Sequence, residues 1–411
     1  MISRRRSRAR GTLFVTALAA LLGSACSAQQ GERSANAERS SEEAGRPANT
    51  GRPLFAPAPG SPISPPGGAG NLALGDVNRD GRLDLVVVND QGIAVLVGQG
   101  DGSFRVGSGS PIRKPGPSTE MLPCDLNGDG SLDVVLANHD SYLVSFLLGD
   151  GKGGFAHAPR SPVVMKEGQS PHTHGLHAGD LNGDGKPDLV TVNHNDNDVS
   201  VAYADGEGGF TRAASPFAVG PSPYPGTLAD LNGDGHLDII ATSTARPSRQ
   251  GAPAGALTVL LGDGEGGFRG GPVPLRTVSP GFATAGDLNG DGKPDLVATH
   301  LERRELTVLI GDGKGAFTET TSSPFDLGHA AWHVGVADMN GDGNADVAAA
   351  AGDVRVMLGD GQGGFRPAPG SPFATGGESY MLALGDVNGD GKVDVAAGDD
   401  KANTVTILLA L

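Results

Sequence analysis

The sequence predicts an all-β chain: a seven-bladed β-propeller of four-stranded blades, closed by an N-terminal strand that joins the last blade. Three observations carry that reading. A loop of the form D-x-N-x-D-G-x-x-D occurs seven times, its starts 48 to 57 residues apart, which marks a tandem array of one supersecondary unit. A glycine-rich turn ending in Phe follows six of the copies. The 67 Gly and 29 Pro among 411 residues supply many tight turns, and no stretch shows helical periodicity.

Residues 1–25 place Arg4, Arg5, Arg6, Arg8 and Arg10 ahead of the apolar run Thr12 to Leu22 and the small residues Gly23, Ser24 and Ala25. That is the layout of an export signal, and the run is too short to span a membrane. Cys26 follows in Leu21-Leu22-Gly23-Ser24-Ala25-Cys26, which resembles a bacterial lipobox, with Gly23 where that motif has Leu. The resemblance implies lipidation of Cys26, with ordinary secretion as the alternative. Residues 26–53 lack apolar periodicity and are rich in Ser, Ala, Glu and Gly, so they read as a disordered tether.

The repeated domain spans 54–411. In its third copy an apolar strand ends at Gly179 and the loop Asp180 to Asp188 follows. Leu189 to Asn193 reads as a strand, His194 to Asp198 as a turn, and Val199 to Tyr203 as another strand. Asp205 to Gly209 is a tight turn, and Phe210 opens a fourth strand. Four short strands in about 50 residues match a propeller blade. The Gly-Phe turn stands at Leu148 to Phe155, Leu261 to Phe268, Ile310 to Phe317 and Leu358 to Phe365, with looser forms at Val97 to Phe104 and Tyr203 to Phe210. Its Phe is expected to anchor the outer strand against the next blade.

The two ends explain closure. The last copy stops at Thr404 to Leu409 without a Gly-Phe turn, while Phe55-Ala56-Pro57-Ala58-Pro59-Gly60-Ser61-Pro62 mirrors Phe365 to Pro372. The N-terminal segment is therefore expected to complete the last blade and remove an open sheet edge.

At this point the loops and turns resemble the FG-GAP or VCBS-type repeats of integrin-alpha-like propellers. The resemblance covers 54–411 and implies calcium in the loops, with ligand contact on the face opposite them.

The loop chemistry also stands on its own. Position 1 is Asp76, Asp125, Asp180, Asp230, Asp287, Asp338 or Asp386. Position 3 is Asn78, Asn127, Asn182, Asn232, Asn289, Asn340 or Asn388, and position 5 is Asp80, Asp129, Asp184, Asp234, Asp291, Asp342 or Asp390. Position 9 is Asp84, Asp133, Asp188, Asp238, Asp295, Asp346 or Asp394. The alternating oxygens of positions 1, 3 and 5 can converge on one point, position 7 offers a backbone carbonyl, from Arg82, Ser131, Lys186, His236, Lys293, Asn344 or Lys392, and the position-9 Asp closes the shell. An all-oxygen, carboxylate-rich cage suits Ca²⁺, up to seven ions in all. EF-hand loops need Glu at position 12, and here Val87, Leu136, Thr191, Ala241, Ala298, Ala349 and Ala397 stand there. The alternative is a set of Asx turns without metal, but crowded carboxylates repel one another without a cation. Position 2 is always apolar and is expected to plug the packing between blades. The first loop, with Arg79 where the others have Gly, is expected to be the weakest.

The formal charge is −16, and the loops hold 21 of the 47 acids. Acidity of this kind is a counter-charge for bound cations. No basic patch exists to neutralise phosphates, which argues against nucleic acid as a partner. The membrane is reached only through an N-terminal lipid, and a monomer is expected. Two cysteines give no disulfide framework, and Cys124 reads as a small buried residue.

The predicted topology puts the loops and Gly-Phe turns on one face. His157 and His236 fall on that side, and His177 falls within an inner strand. The opposite rim receives His172, His174, His329 and His333 from connections, and His139, His194 and His300 from turns. Tyr224, Trp332, Tyr380, Glu120 and Glu378 join them. Three readings stay open: plain solvated surface, a glycan or protein recognition surface with Trp332 and Tyr380 as stacking platforms, or a centre built on His172 and His174 with His333 or His329. No HExxH or GxSxG motif is present. The functional expectation is an exported, calcium-stabilised binding or adhesion module at the cell envelope. The alternative is a carbohydrate-active enzyme of the polysaccharide lyase kind.

Overall fold

Each blade is built around a second strand that is apolar along almost its whole length. Leu85 to Val88 in the first blade and Val347 to Ala351 in the sixth are buried throughout. A strand that is apolar on both faces needs cover on both faces, and a ring of stacked sheets supplies it. The computed structural model describes residues 51–411 other than 117, 119, 215, 245–255 and 277–279. The export segment, Cys26 and the tether up to residue 50 lie outside the described residues.

Seven antiparallel sheets follow one another along the chain, each running inner, second, third and outer strand. The inner strands are Asn71–Gly75, Glu120–Cys124, Thr173–Gly179, Pro223–Ala229, Pro280–Gly286, His333–Ala337 and Ser379–Gly385. Each touches the inner strand on either side, and the seventh touches the first, so the ring is closed. Among the described residues no helix is present.

Closure follows the sequence reading. Phe55–Pro57 pairs antiparallel with Thr404–Ala410, with Phe55 opposite Ala410 and Pro57 opposite Leu408. Ile63 bridges Val405 further along the same edge. The first described strand thus completes the sheet that the last strand leaves open.

The apolar residue at position 2 of each loop is a plug, as expected. Val77, Leu126, Leu181, Leu231, Leu288, Met339 and Val387 are each at most 2% exposed. Each belongs to a cluster with core residues of the following blade; Leu288, for example, packs with Val334 and Val347. The Phe of the Gly-Phe turn works in the other direction. Phe210 stacks on Phe146 at 5.1 Å, Phe268 meets Phe217 at 5.0 Å, and Phe365 meets Phe325 at 5.5 Å. Those partners lie on the preceding blade, not the following one.

A Ser-Pro pair recurs in the outer strand. The outer strand jogs at Ser61, Ser110, Ser161, Ser323 and Ser371, each followed by a cis proline. At each jog the Ser hydroxyl accepts the N–H of a third-strand residue, 2.8 to 3.0 Å away. The hydroxyl keeps the sheet edge satisfied where the backbone turns aside.

Candidate functional site

Two constellations stand out, one on each face. The first is the ring of aspartate loops. At position 1, one carboxylate oxygen accepts the position-5 N–H and the other the position-6 N–H, as in Asp180 with Asp184 and Gly185 at 3.1 and 2.8 Å. Where Gly stands at position 4, its N–H donates to the same carboxylate at 2.7 or 2.8 Å. That Gly has φ between 72° and 77° in the six loops that carry it. Arg79 takes the same left-handed conformation, with φ 59°, at a cost of about 1–2 kcal/mol. Its guanidinium compensates by donating to the carbonyls of Asp129 (2.5 Å) and Gly130 (3.1 Å). The irregular loop is therefore strapped to its neighbour in the second blade.

Position 9 has a duty that spacing did not reveal. Asp188 is fully buried, and its oxygens accept the N–H of Leu181 at 3.0 Å and of Ala204 at 2.8 Å. The same bracket between loop and third strand recurs at Asp84, Asp133, Asp238, Asp295, Asp346 and Asp394. Burial pushes these carboxyls up, to about 6 for Asp238 and Asp394. Position 5 is exposed, and at Asp129, Asp234 and Asp342 the carboxyl is shifted the other way, chiefly because a backbone N–H two residues on stabilises its charge.

The donor set of each loop is all oxygen, the chemistry that suits a hard cation. The outer oxygen of position 5 faces a side-chain N–H donor in six loops. It meets an Asn amide in three loops, at 2.9 to 3.2 Å. In three others it meets a Lys ammonium, at 3.0 to 3.9 Å. These contacts mark where counter-charge is wanted.

The second constellation lies on the opposite face, between the second and third blades. A bulge interrupts the inner strand between Thr173 and Leu176. Bulges re-aim side chains, and this one carries His174. Gly175 within it has φ 91°, and an added Cβ would lie 2.8 Å from Pro225. Buried Glu120 pins the bulge by accepting the Gly175 N–H at 2.9 Å. Two backbone bonds tie the surrounding turns to this strand. The Thr173 N–H donates to the His139 carbonyl (3.0 Å), and the His194 N–H donates to the His172 carbonyl (2.8 Å).

Four imidazoles meet there. His172 Nε2 lies 2.7 Å from His174 Nε2. The His139 ring centres 4.1 Å from His172 and 5.1 Å from His174, and His194 lies 4.7 Å from His172. Tyr224 stacks on His174 at 4.4 Å. Burial holds His172 down to about 4 and His174 well below its ordinary value; the neighbouring histidines add to both shifts. The His172 and His174 rings are therefore neutral at physiological pH, with lone pairs available.

The cluster contains the expected His172, His174 and Tyr224, but its other members are His139 and His194. His333 packs instead on Phe282 at 4.4 Å, and His329 is exposed, its ring on the Ala330 carbonyl. Trp332 and Tyr380 are half-buried in the fifth-to-sixth connection and the seventh inner strand. His177 is buried in its strand, and His300 bonds Thr307 at 2.7 Å. Sequence spacing put His139 and His194 in equivalent turns of neighbouring blades. It gave no measure of how closely two blades bring such turns together. Cys124 is half-buried rather than fully buried, with burial pushing its thiol up to about 12. A cavity of 490 Å³, lined mainly by small and apolar inner-strand residues such as Ala73, Ala285, Gly335 and Leu382, occupies the ring interior.

Comparison with solved structures gives the same fold. A lectin from Agrocybe aegerita, described for specific recognition of non-reducing terminal N-acetylglucosamine, is 20% identical, with a TM-score of 0.50 over 72% of this chain and 78% of its own. BBS1N, solved in complex with ARL6DN, is 12% identical, with a TM-score of 0.57 over 88% of this chain and 98% of its own. Virginiamycin B lyase from Staphylococcus aureus is also 12% identical, with a TM-score of 0.51 over 88% of this chain and 99% of its own. At these identities the likeness shows fold alone. No curated protein matches the chain. The family model described as FG-GAP-like repeat matches residues 49–121, 125–191, 180–241, 287–349 and 347–397. With repeats of one kind matched along most of its length, and seven blades closed into one ring, the chain belongs to the FG-GAP-like repeat family.

Proposed function

We propose that this chain is a calcium-stabilised, exported β-propeller that binds a glycan or protein ligand at the cell envelope. The observation that carries the reading is the division between faces. One face is occupied by seven repeated oxygen-rich loops whose backbone brackets are architectural. The other presents an irregular rim where His172, His174, His194 and Tyr224 form one cluster of rings. Repetition suits a staple, and irregularity suits recognition. Calcium would be held by positions 1, 3, 5 and 9 and the position-7 carbonyl, supplying counter-charge to the loop. Solved propellers of this shape include one described with a terminal N-acetylglucosamine and one with a protein partner, which supports a binding role of either kind. The basic and apolar N-terminal segment supports export, with Cys26 as the point of lipid attachment.

A glycan array probed with the purified domain tests the reading. Binding to a defined sugar class that is lost on Tyr224→Ala is the expected result. No sugar and no envelope protein retained by the folded domain would overturn it. The histidine cluster favours one second reading, a polysaccharide lyase. Release of unsaturated sugars that ceases on His172→Ala would select it.

A further inference from the structure

We propose that His139, His172 and His174, with His194 beside them, form a binding site for a nitrogen-preferring divalent transition ion such as Zn²⁺ or Cu²⁺. The site is distinct in place and in chemistry from the aspartate loops.

Convergence is the first observation. One ring nitrogen from each of His139, His172 and His174 lies within 4.8 Å of the other two. Among the described residues no other three His, Cys, Asp or Glu side chains do this. Unmet valence is the second. His139 is 8% exposed and His174 3% exposed, yet His139 Nε2 and His174 Nδ1 have no hydrogen-bond partner. Buried ring nitrogens are normally satisfied; an ion on His139 Nε2 would meet the first orphan, while His174, ligating through Nε2, would keep its proton on Nδ1.

The surroundings are those of a built metal site. His139 Nδ1 lies 2.7 Å from Asp140 Oδ1. A carboxylate at Nδ1 fixes the proton there and leaves Nε2 as the lone-pair donor, the usual outer support of a metal-bound imidazole. Tyr224 stacked on His174, and the backbone bonds of Thr173 and His194, limit ring movement. His172 Nε2 and His174 Nε2 face each other at 2.7 Å. Without an ion, one of them must donate a proton to the other. With an ion between them, both can present lone pairs. The donor set is all imidazole, which Zn²⁺ and Cu²⁺ prefer and Ca²⁺ does not. The same chain would therefore sort two classes of cation onto two faces.

The test uses the full exported chain, stripped of transition metal and kept in excess Ca²⁺ so that the loops are saturated. Calorimetric titration with Zn²⁺ should give one tight ion per chain, with a dissociation constant of about 1 μM or below. The variant His139→Ala/His172→Ala/His174→Ala should lose about 100-fold or more, and His194→Ala about tenfold. His157→Ala, on the other face, should change nothing. Should the triple variant not fold by circular dichroism, His172→Gln replaces it. Electron paramagnetic resonance with Cu²⁺ should then show loss of one nitrogen coupling relative to the parent. Two outcomes overturn the proposal: no ion held at one per chain, or tight binding unchanged in the folded histidine variants. No sugar or protein partner is present in these measurements, so their failure leaves the ligand-binding reading untouched, and the converse also holds.

Discussion

At the scale of the residue, position 9 of each loop carries an architectural duty that position 5 does not. Asp188 accepts two backbone N–H groups in a buried position, whereas Asp184 is exposed and caps the Lys186 N–H at 3.0 Å. Asp188→Ala strands two buried donors, so a loss of about 3 kcal/mol is expected in urea unfolding even with chelator present. Asp184→Ala should matter only when Ca²⁺ is supplied. Equal losses for both variants in chelator would show that the bracket is not what holds the loop. His177 provides a pH test. Burial lowers its folded value to about 4, while the unfolded chain titrates near 6.5. Between those values the unfolded state binds more protons, so this contribution to stability is complete above about pH 6.5 and is lost as pH falls toward 4. Melting at about pH 5 should therefore drop less, relative to neutral pH, for His177→Leu than for the parent.

At the scale of the element, the outer strand depends on a residue type that carries no conspicuous pattern. Ser371 accepts the Val356 N–H at 3.0 Å where the strand jogs. Ser371→Ala is expected to cost about 1 kcal/mol in equilibrium unfolding, and Ser371→Thr to keep most of it. An unchanged urea midpoint for the Ala variant would remove the hydroxyl from the account. The bulge in the third inner strand is the other element-scale device. It is held by Glu120 from the neighbouring blade, so the aim of His174 is set by a residue 54 positions earlier.

At the scale of the whole molecule, stability is shared between ring closure and the loops. Phe55–Pro57 covers the edge of Thr404–Ala410. Removing residues 51–63 should lower the melting temperature and produce self-association in size-exclusion chromatography, because an unpaired edge recruits another chain. A monodisperse truncated chain with the parent's melting temperature would refute the closing role. Chelation is expected to lower the melting temperature well beyond the effect of an inert salt of equal ionic strength. One site adds about 2.7 kcal/mol when free ion is a hundredfold over its dissociation constant. Coincident melting curves with and without chelator would remove calcium from the description of this fold.

The blade count, the four-strand unit, the closing segment and the apolar plugs were all legible in the chain because each is local and repeated. Asp76 to Asp84 and its six copies announce themselves by spacing alone. The back-leaning Phe contacts, the Arg79 strap and the union of His139 with His194 were decided by the packing of one blade on another, and the double bracket at position 9 by the pairing of strands within a blade. Distances between equivalent turns of neighbouring blades depend on how far the ring rotates from sheet to sheet. No residue spacing encodes that angle directly, since it emerges from the sizes of side chains buried at every interface around the circle.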